Sequence, residues 1–192
     1  MADLVTVFAD AGIAGKGGAT GTVTISDAGS VNAADLKTLN TAVTPALVAA
    51  NITNITGTIA DLQNVYDAAE GGGATITAAN LGNESVTVTD LDVLASALKT
   101  FVTADGAGAT RETSGAITVI SSGITGSYTD VNDMLTISAA ANVNLTGLGA
   151  ANVTLTGTPT VTNVNTIAGK TCLLYTSPSP RDLLGSRMPS SA

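Results

Sequence analysis

The chain of 192 residues has no histidine and no tryptophan, one cysteine, two phenylalanines and three tyrosines. Without histidine no Ser–His or Cys–His pair can form, and zinc would have only carboxylates to bind it. One thiol builds neither a disulfide framework nor a thiolate metal site. Cations are scarce too: 7 Lys and Arg stand against 15 Asp and Glu, a net charge of −8. A nucleic-acid partner needs clustered cations to meet its phosphates, so no nucleic acid is expected. An acidic chain instead gains solubility from self-repulsion. No run reaches the roughly 18 apolar residues of a membrane helix, so no membrane insertion is expected. The opening stretch from Met1 to Val5 lacks the basic residues that begin a signal peptide.

What is there is small and aliphatic. Hydrophobic residues make up 44% of the chain, and most are Ala, Val, Leu and Ile. That content argues against intrinsic disorder. With so few large side chains it builds a core of thin layers, which suits a stack of similar units better than one globular centre.

The stretch from Val23 to Ala69 sets the pattern. An alternating run, Val23-Thr24-Ile25-Ser26-Asp27, is followed by a helix-like run from Asn32 to Ala42; Ile52 to Gly57 then leads into Thr58 to Ala69. Val/Thr alternation fits a strand with one apolar side. The strand phrase returns at Val86-Thr87-Val88-Thr89-Asp90 and Val153-Thr154-Leu155-Thr156-Gly157. The first helix returns through Leu36-Lys37-Thr38-Leu39, Leu98-Lys99-Thr100-Phe101 and Val164-Asn165-Thr166-Ile167. The second half returns as Ile55-Thr56-Gly57 with Ala60-Asp61-Leu62, and Ile124-Thr125-Gly126 with Thr129-Asp130-Val131. The pattern is a nested repeat of roughly 65 residues, each made of two strand-and-helix halves.

Apolar steps of three and four predict the buried helix stripes: Leu36, Leu39 and Val43; Ile59, Leu62, Val65 and Ala69; Leu94, Leu98, Phe101 and Val102; Val131, Met134 and Leu135; Val161, Val164, Ile167 and Ala168. Strands separated by a helix and a loop have the length for parallel crossovers. The expected fold is therefore α/β: solenoid-like tandem strand-turn-helix repeats with a parallel sheet. The alternative is a mainly β solenoid, if runs such as Ile117 to Ile120 and Asn142 to Thr146 dominate.

The expected division follows the repeats. Residues 1–22 are the end of a preceding repeat and a Gly-rich connector, since Ala2 to Gly12 align with Ala60 to Glu70. Residues 23–85 are repeat 1, 86–152 repeat 2, and 153–171 a truncated repeat 3. Met1 is read as a start inside a longer gene. Residues 172–192 resemble the translation of a sequencing adapter, with Cys172 to Asp182 and Ser186 to Ala192 flanking a three-residue index. This tail is read as non-native and disordered. Without it the chain keeps 5 basic and 14 acidic side chains and has no cysteine.

The recurring carboxylates Asp3, Asp35, Asp61 and Asp130 admit two readings, metal ligands on successive units or helix-start groups. Asn32-x-x-Asp35, Thr58-x-x-Asp61 and Ser127-x-x-Asp130 have capping-box spacing, which favours the second. Asp27, Asp90, Asp92 and the pair Asp130 and Asp133 could offer oxygens to Ca²⁺, but neither the EF-hand spacing nor the calcium nonapeptide is present, so turn formation is the favoured role. The Gly-rich segment Gly15 to Gly21 has its lysine before Gly17 and leads from helix to strand, unlike a phosphate loop. Tyr66 and Tyr128 are read as packing residues over carbohydrate platforms. The Asn-x-Thr/Ser triplets at Asn51, Asn54, Asn83, Asn144 and Asn152 are the chance product of a Thr- and Asn-rich chain. Carboxylates that recur do not make a singular acid pair, so no enzyme is expected. No catalytic, cofactor-binding or metal residue is assigned.

The phrases Val-Thr-Ile-Ser-Asp, Ala-Ala-Asp-Leu-Lys-Thr-Leu-Asn and Ile-Thr-Gly-Thr-x-Ala-Asp-Leu resemble tandem repeats of giant secreted or cell-surface proteins of marine bacteria, cyanobacteria in particular. The resemblance covers most of residues 1 to 171. It implies a non-enzymatic structural segment of a stalk, surface layer, adhesin or motility protein, located outside the cell or on its surface. Its expected partners are neighbouring repeats of the same chain, and cell-surface glycans if departures such as Arg111-Glu112 form a site. The alternative is a glycan- or calcium-binding module. Members of that group often carry calcium nonapeptides, which this chain lacks, so no cofactor is carried over.

Overall fold

The computed structural model describes residues 23–25, 29–42, 47–48, 52–69, 76–77, 81–103, 113, 115–140 and 144–171. The expectations for residues 1–22 and 172–192, and those for Asp3, Asp27, Val43, Asn51 and Arg111-Glu112, lie outside the described residues.

Among them lie eleven strands and five α-helices. The strands are β1 (Val23–Thr24), β2 (Gly29–Asn32), β3 (Leu47–Val48), β4 (Ile52–Gly57), β5 (Ile76–Thr77), β6 (Ser85–Val88), β7 (Asp92–Leu94), β8 (Ile117–Val119), β9 (Gly123–Gly126), β10 (Leu145–Thr146) and β11 (Asn152–Leu155). The helices are α1 (Ala33–Ala42), α2 (Ile59–Ala69), α3 (Ala95–Val102), α4 (Tyr128–Ser138) and α5 (Val161–Ala168). The class is α/β, as expected, and every strand pairing is parallel.

The strands form three sheets, ordered β1-β3-β5, β2-β4-β6-β8-β10 and β7-β9-β11. Within each sheet the spatial order follows the chain order. The register of the five-stranded sheet aligns Val31, Ile55, Val86, Ile117 and Leu145 into one column, and all five are buried. The next position along the same strands aligns Asn32, Thr56, Thr87, Thr118 and Thr146. Side chains alternate faces along a strand, so these polar residues stand on the outer face. The Val/Thr alternation of the sequence is this two-faced ladder. Val93, Ile124 and Val153 repeat the buried column in the third sheet.

Helices pack in chain order, α1 on α2, α2 on α3, α3 on α4 and α4 on α5. Their apolar stripes lie inward as the spacing predicts: Leu36 and Leu39; Ile59, Leu62 and Val65; Leu98, Phe101 and Val102; Val131, Met134 and Leu135. Three expected stripe residues, Leu94, Val161 and Ala168, are exposed instead. Leu94 ends β7 rather than opening a helix and is 56% exposed, and Val161, at the first turn of α5, is 77% exposed.

Two of the recurring carboxylates, Asp61 and Asp130, take part in helix caps. Thr58 Oγ1 accepts from the Asp61 N–H at 3.2 Å and donates to its carboxylate at 2.9 Å. Ser127 repeats this with Asp130, at 3.2 and 2.7 Å. Asn32 Oδ1 instead takes the Ala34 N–H, leaving Asp35 in the first turn of α1 without a share in the cap. Each cap satisfies an amide that the helix itself leaves open.

The strand phrases that the sequence aligns do not share a sheet. Val23 is in β1, Val86 in β6 and Val153 in β11, one in each sheet. What precedes the helix also changes along the chain. In the first two units a strand of the central sheet runs almost directly into α1 or α2. In the later ones a corner and a third-sheet strand intervene before α3, α4 and α5. The last such corner needs Gly147, whose φ of +99° suits glycine and where a Cβ would lie 1.9 Å from the Val119 carbonyl oxygen.

Candidate functional site

The helix-to-helix junctions hold the polar side chains of interest. Lys37, fifth residue of α1, reaches Asp61, third residue of α2, at 3.1 Å. Lys99, fifth of α3, lies 3.8 Å from Asp130, third of α4, and 2.6 Å from Asp133. Its ammonium is held above the usual lysine range, chiefly by the Asp133 hydrogen bond, and the Asp61 carboxyl is held below the usual carboxylate range, chiefly by Lys37. Asp130 and Asp133 therefore serve a lysine cross-tie. Lys170, just past α5, bridges back to Asn132 and Thr136 of α4, at 2.7 Å each.

Under each lysine tie lies a close backbone approach. A Cβ on Gly57 would stand 2.7 Å from the Ala33 Cβ, and one on Gly126 would stand 2.8 Å from the Ala95 Cβ. Ala33 and Ala95 are the first residues of α1 and α3.

The α2–α3 junction has neither device. The fifth residue of α2 is Gln63 and the third of α3 is Ala97, so the Lys–Asp pair is replaced by an amide and a methyl group. The far end of this junction is sealed. Tyr66 meets Phe101 edge-on, with ring centroids 5.4 Å apart and planes at 72°. The Tyr66 hydroxyl donates to the carboxylate of Glu84, which is only 5% exposed and also accepts from the Gly82 and Asn83 N–H groups at 2.9 and 3.2 Å. Tyr66 thus packs inside, as the sequence reading favoured, and Tyr128 is half-buried against the core.

At its near end the junction opens into a groove of ≈ 460 Å³. Ile59, Ala60 and Gln63 of α2 form one wall, and Leu94, Ala97 and Thr100 the other. Asp90, from the corner between β6 and β7, and Asp92, which opens β7, also line it. Asp90 Oδ2 accepts the Ile59 N–H at 2.7 Å, which caps α2 from the neighbouring unit, and Asp92 Oδ2 accepts from Thr125 Oγ1 at 2.7 Å. Turn formation therefore describes Asp90 only in part. The signal was present in the sequence: once the helices are aligned from their first residues, Gln63 and Ala97 interrupt the Lys and Asp positions.

Among the described residues no three His, Cys, Asp or Glu side chains gather as metal ligands, and no helix is long and apolar enough to cross a membrane. Asn54 spans the outer face of the central sheet, its amide donating to Ser30 at 2.9 Å and its carbonyl accepting from Thr87 at 3.3 Å. Comparison with protein-family models, curated proteins and solved structures returns no match.

Proposed function

We propose that this chain is a non-enzymatic structural segment of a large extracellular or cell-surface protein, a solenoid of strand-and-helix units that supplies length and spacing. The observation that carries the reading is the column Val31, Ile55, Val86, Ile117 and Leu145, in which each strand stacks on the unit before it in chain order. A unit that buries its apolar face only against its neighbours gains stability by being repeated. The carboxylates and tyrosines offer further support, because most of those described serve caps, cross-ties or the core. On this reading the partners are neighbouring repeats of the same kind.

Length is the property to test. Three tandem copies of residues 117–144 inserted after residue 144 should fold cooperatively and lengthen the particle by about 14 Å, given a strand spacing of about 4.8 Å. Small-angle scattering reads the maximum dimension. An insert that stays unfolded, or one that folds without lengthening the particle, rules the solenoid out.

A further inference from the structure

The geometry points to the groove between α2 and α3 as a binding site for a small apolar molecule carrying one ammonium group. Its volume of ≈ 460 Å³ falls within the range of small-molecule pockets. Ile59, Leu94 and Ala97 give it apolar walls, and Leu94 is left 56% exposed there. An open leucine on a groove wall loses water contact when a ligand covers it, which favours an apolar body.

The head group follows from the charges. Asp90 and Asp92 both line the groove, and each has one carboxylate oxygen engaged within the protein. No lysine or arginine is among the lining residues. The nearest lysines along the helices face other junctions, Lys37 toward Asp61 and Lys99 toward Asp130 and Asp133. A helix amino end normally attracts an anion. Here the Ile59 N–H is already taken by Asp90 and the Asp61 N–H by Thr58, so the site repels a carboxylate and attracts a cation. Gln63 and Thr100 also line the groove, with Gln63 donating to Asp67 and Thr100 to the Ser96 carbonyl.

The groove exists because the cross-tie is missing, and that supplies the control. Gln63→Lys with Ala97→Asp rebuilds at this junction the pair that Lys37 and Asp61 make at the previous one, and it fills the opening. The probes are 2-phenylethylammonium, 2-phenylethanol and 3-phenylpropionate, titrated into the full chain labelled with ¹⁵N. Amide shifts should cluster on Ile59 to Gln63, Asp92 to Leu94 and Ala97 to Thr100. Dissociation constants on the order of 1 mM are expected for a ligand of this size, with the ammonium about fivefold tighter than the alcohol, as one partly exposed ion pair allows. The carboxylate should bind weakest. The double variant should lose ammonium binding while melting no lower than the parent, and Asp92→Asn, which keeps its acceptor for Thr125, should erase the preference for ammonium over alcohol.

Equal binding of all three probes, no binding, or shifts located elsewhere would overturn the assignment. So would full ammonium affinity retained in a double variant that folds. If the double variant does not fold, the Asp92→Asn comparison decides alone, and an unchanged preference there sinks the proposal.

Discussion

The α3–α4 and α2–α3 junctions are built from the same parts, two helices side by side over parallel strands, yet one is tied and the other is open. At the first, Lys99 spans to Asp130 and Asp133, and Gly126 lets the backbone approach Ala95. At the second, Gln63 and Ala97 take the equivalent positions, and a groove lies where the ion pair would be. The α1–α2 junction is of the tied kind, with Lys37, Asp61, Gly57 and Ala33 in the matching roles. Helices thus come in pairs, tied within a pair and differently joined between pairs. The α4–α5 junction shows a second way to join pairs, with Lys170 reaching back to Asn132 and Thr136. The difference teaches that the large apolar columns fix the order of units, while a few surface residues decide whether neighbouring helices close.

The largest effect should come from what both kinds of junction share. Ile55 and Ile117 are fully buried in the same column of the central sheet, one in a strand that leads straight into a helix and one in a strand that leads into a corner. Ile55→Ala and Ile117→Ala should each cost about 3 kcal/mol of unfolding free energy, since each deletes core methyl groups and leaves a cavity. Urea melts of the two variants check this. Costs differing by more than about 1.5 kcal/mol would mean that the column is not one spine but two unequal cores.

Much of this is legible in the sequence. Val/Thr alternation placed the two faces of β4, β6 and β11, because a period of two admits only one pairing of apolar residues with the core. The steps from Leu36 to Leu39 and from Ile59 to Val65 placed α1 and α2 to within a residue of their ends. The pairing of helices was legible too, in Leu36-Lys37-Thr38 against Leu98-Lys99-Thr100, and Asp61 against Asp130. Thr38 and Thr100 each donate to the carbonyl four residues back, at 2.8 and 3.1 Å, as Thr136 of α4 also does. Sheet membership was not legible. Val23, Val86 and Val153 carry the same local preference, and nothing within five residues says which of three neighbours will pair with a strand. The corners before α3, α4 and α5, each followed by a third-sheet strand, carry no such common phrase. The groove is not legible for a related reason: it is defined by Gln63 and Ala97, residues that fail to recur.

A smaller and sharper comparison lies in the glycines under the ties. Gly57→Ala and Gly126→Ala both force a methyl group against an alanine that begins the preceding helix, at 2.7 and 2.8 Å. Each should cost about 2 kcal/mol, the range for overpacking a contact that can shift only with its backbone. If the helix pairing is real the two costs should agree to within about 0.5 kcal/mol, because each methyl group meets the first alanine of the preceding helix, with Val131 as a further neighbour only at Gly126. Thermal melts of the two single variants, with the double variant to test additivity, measure it. A neutral Gly57→Ala beside a damaging Gly126→Ala would break the equivalence of the two pairs.

The smallest effect is in the lysine ties themselves, and its pH dependence separates them. Each joins partly exposed groups, so Lys37→Met should cost only about 0.5 kcal/mol at neutral pH, Lys99→Met should have a similarly small effect, and both should matter less in high salt. Asp61 titrates below its ordinary value in the folded chain, chiefly because of Lys37. Its contribution is therefore complete above the unfolded value, near 3.9, and is lost as pH falls through the lower folded value. Lys99 titrates above its ordinary value, chiefly because of Asp133. Its contribution is complete below the unfolded value, near 10.4, and is lost as pH rises through the higher folded one. Asp61→Asn should accordingly fall behind the parent at pH 7 and draw level with it in strong acid, while Lys99→Met should fall behind at pH 7 and draw level in strong alkali. Urea melts at three pH values read both gaps. A gap that stays constant from acid to alkali would show that the side chains matter there for packing and not for charge, leaving the Gly–Ala contacts as the whole difference between tied and open junctions.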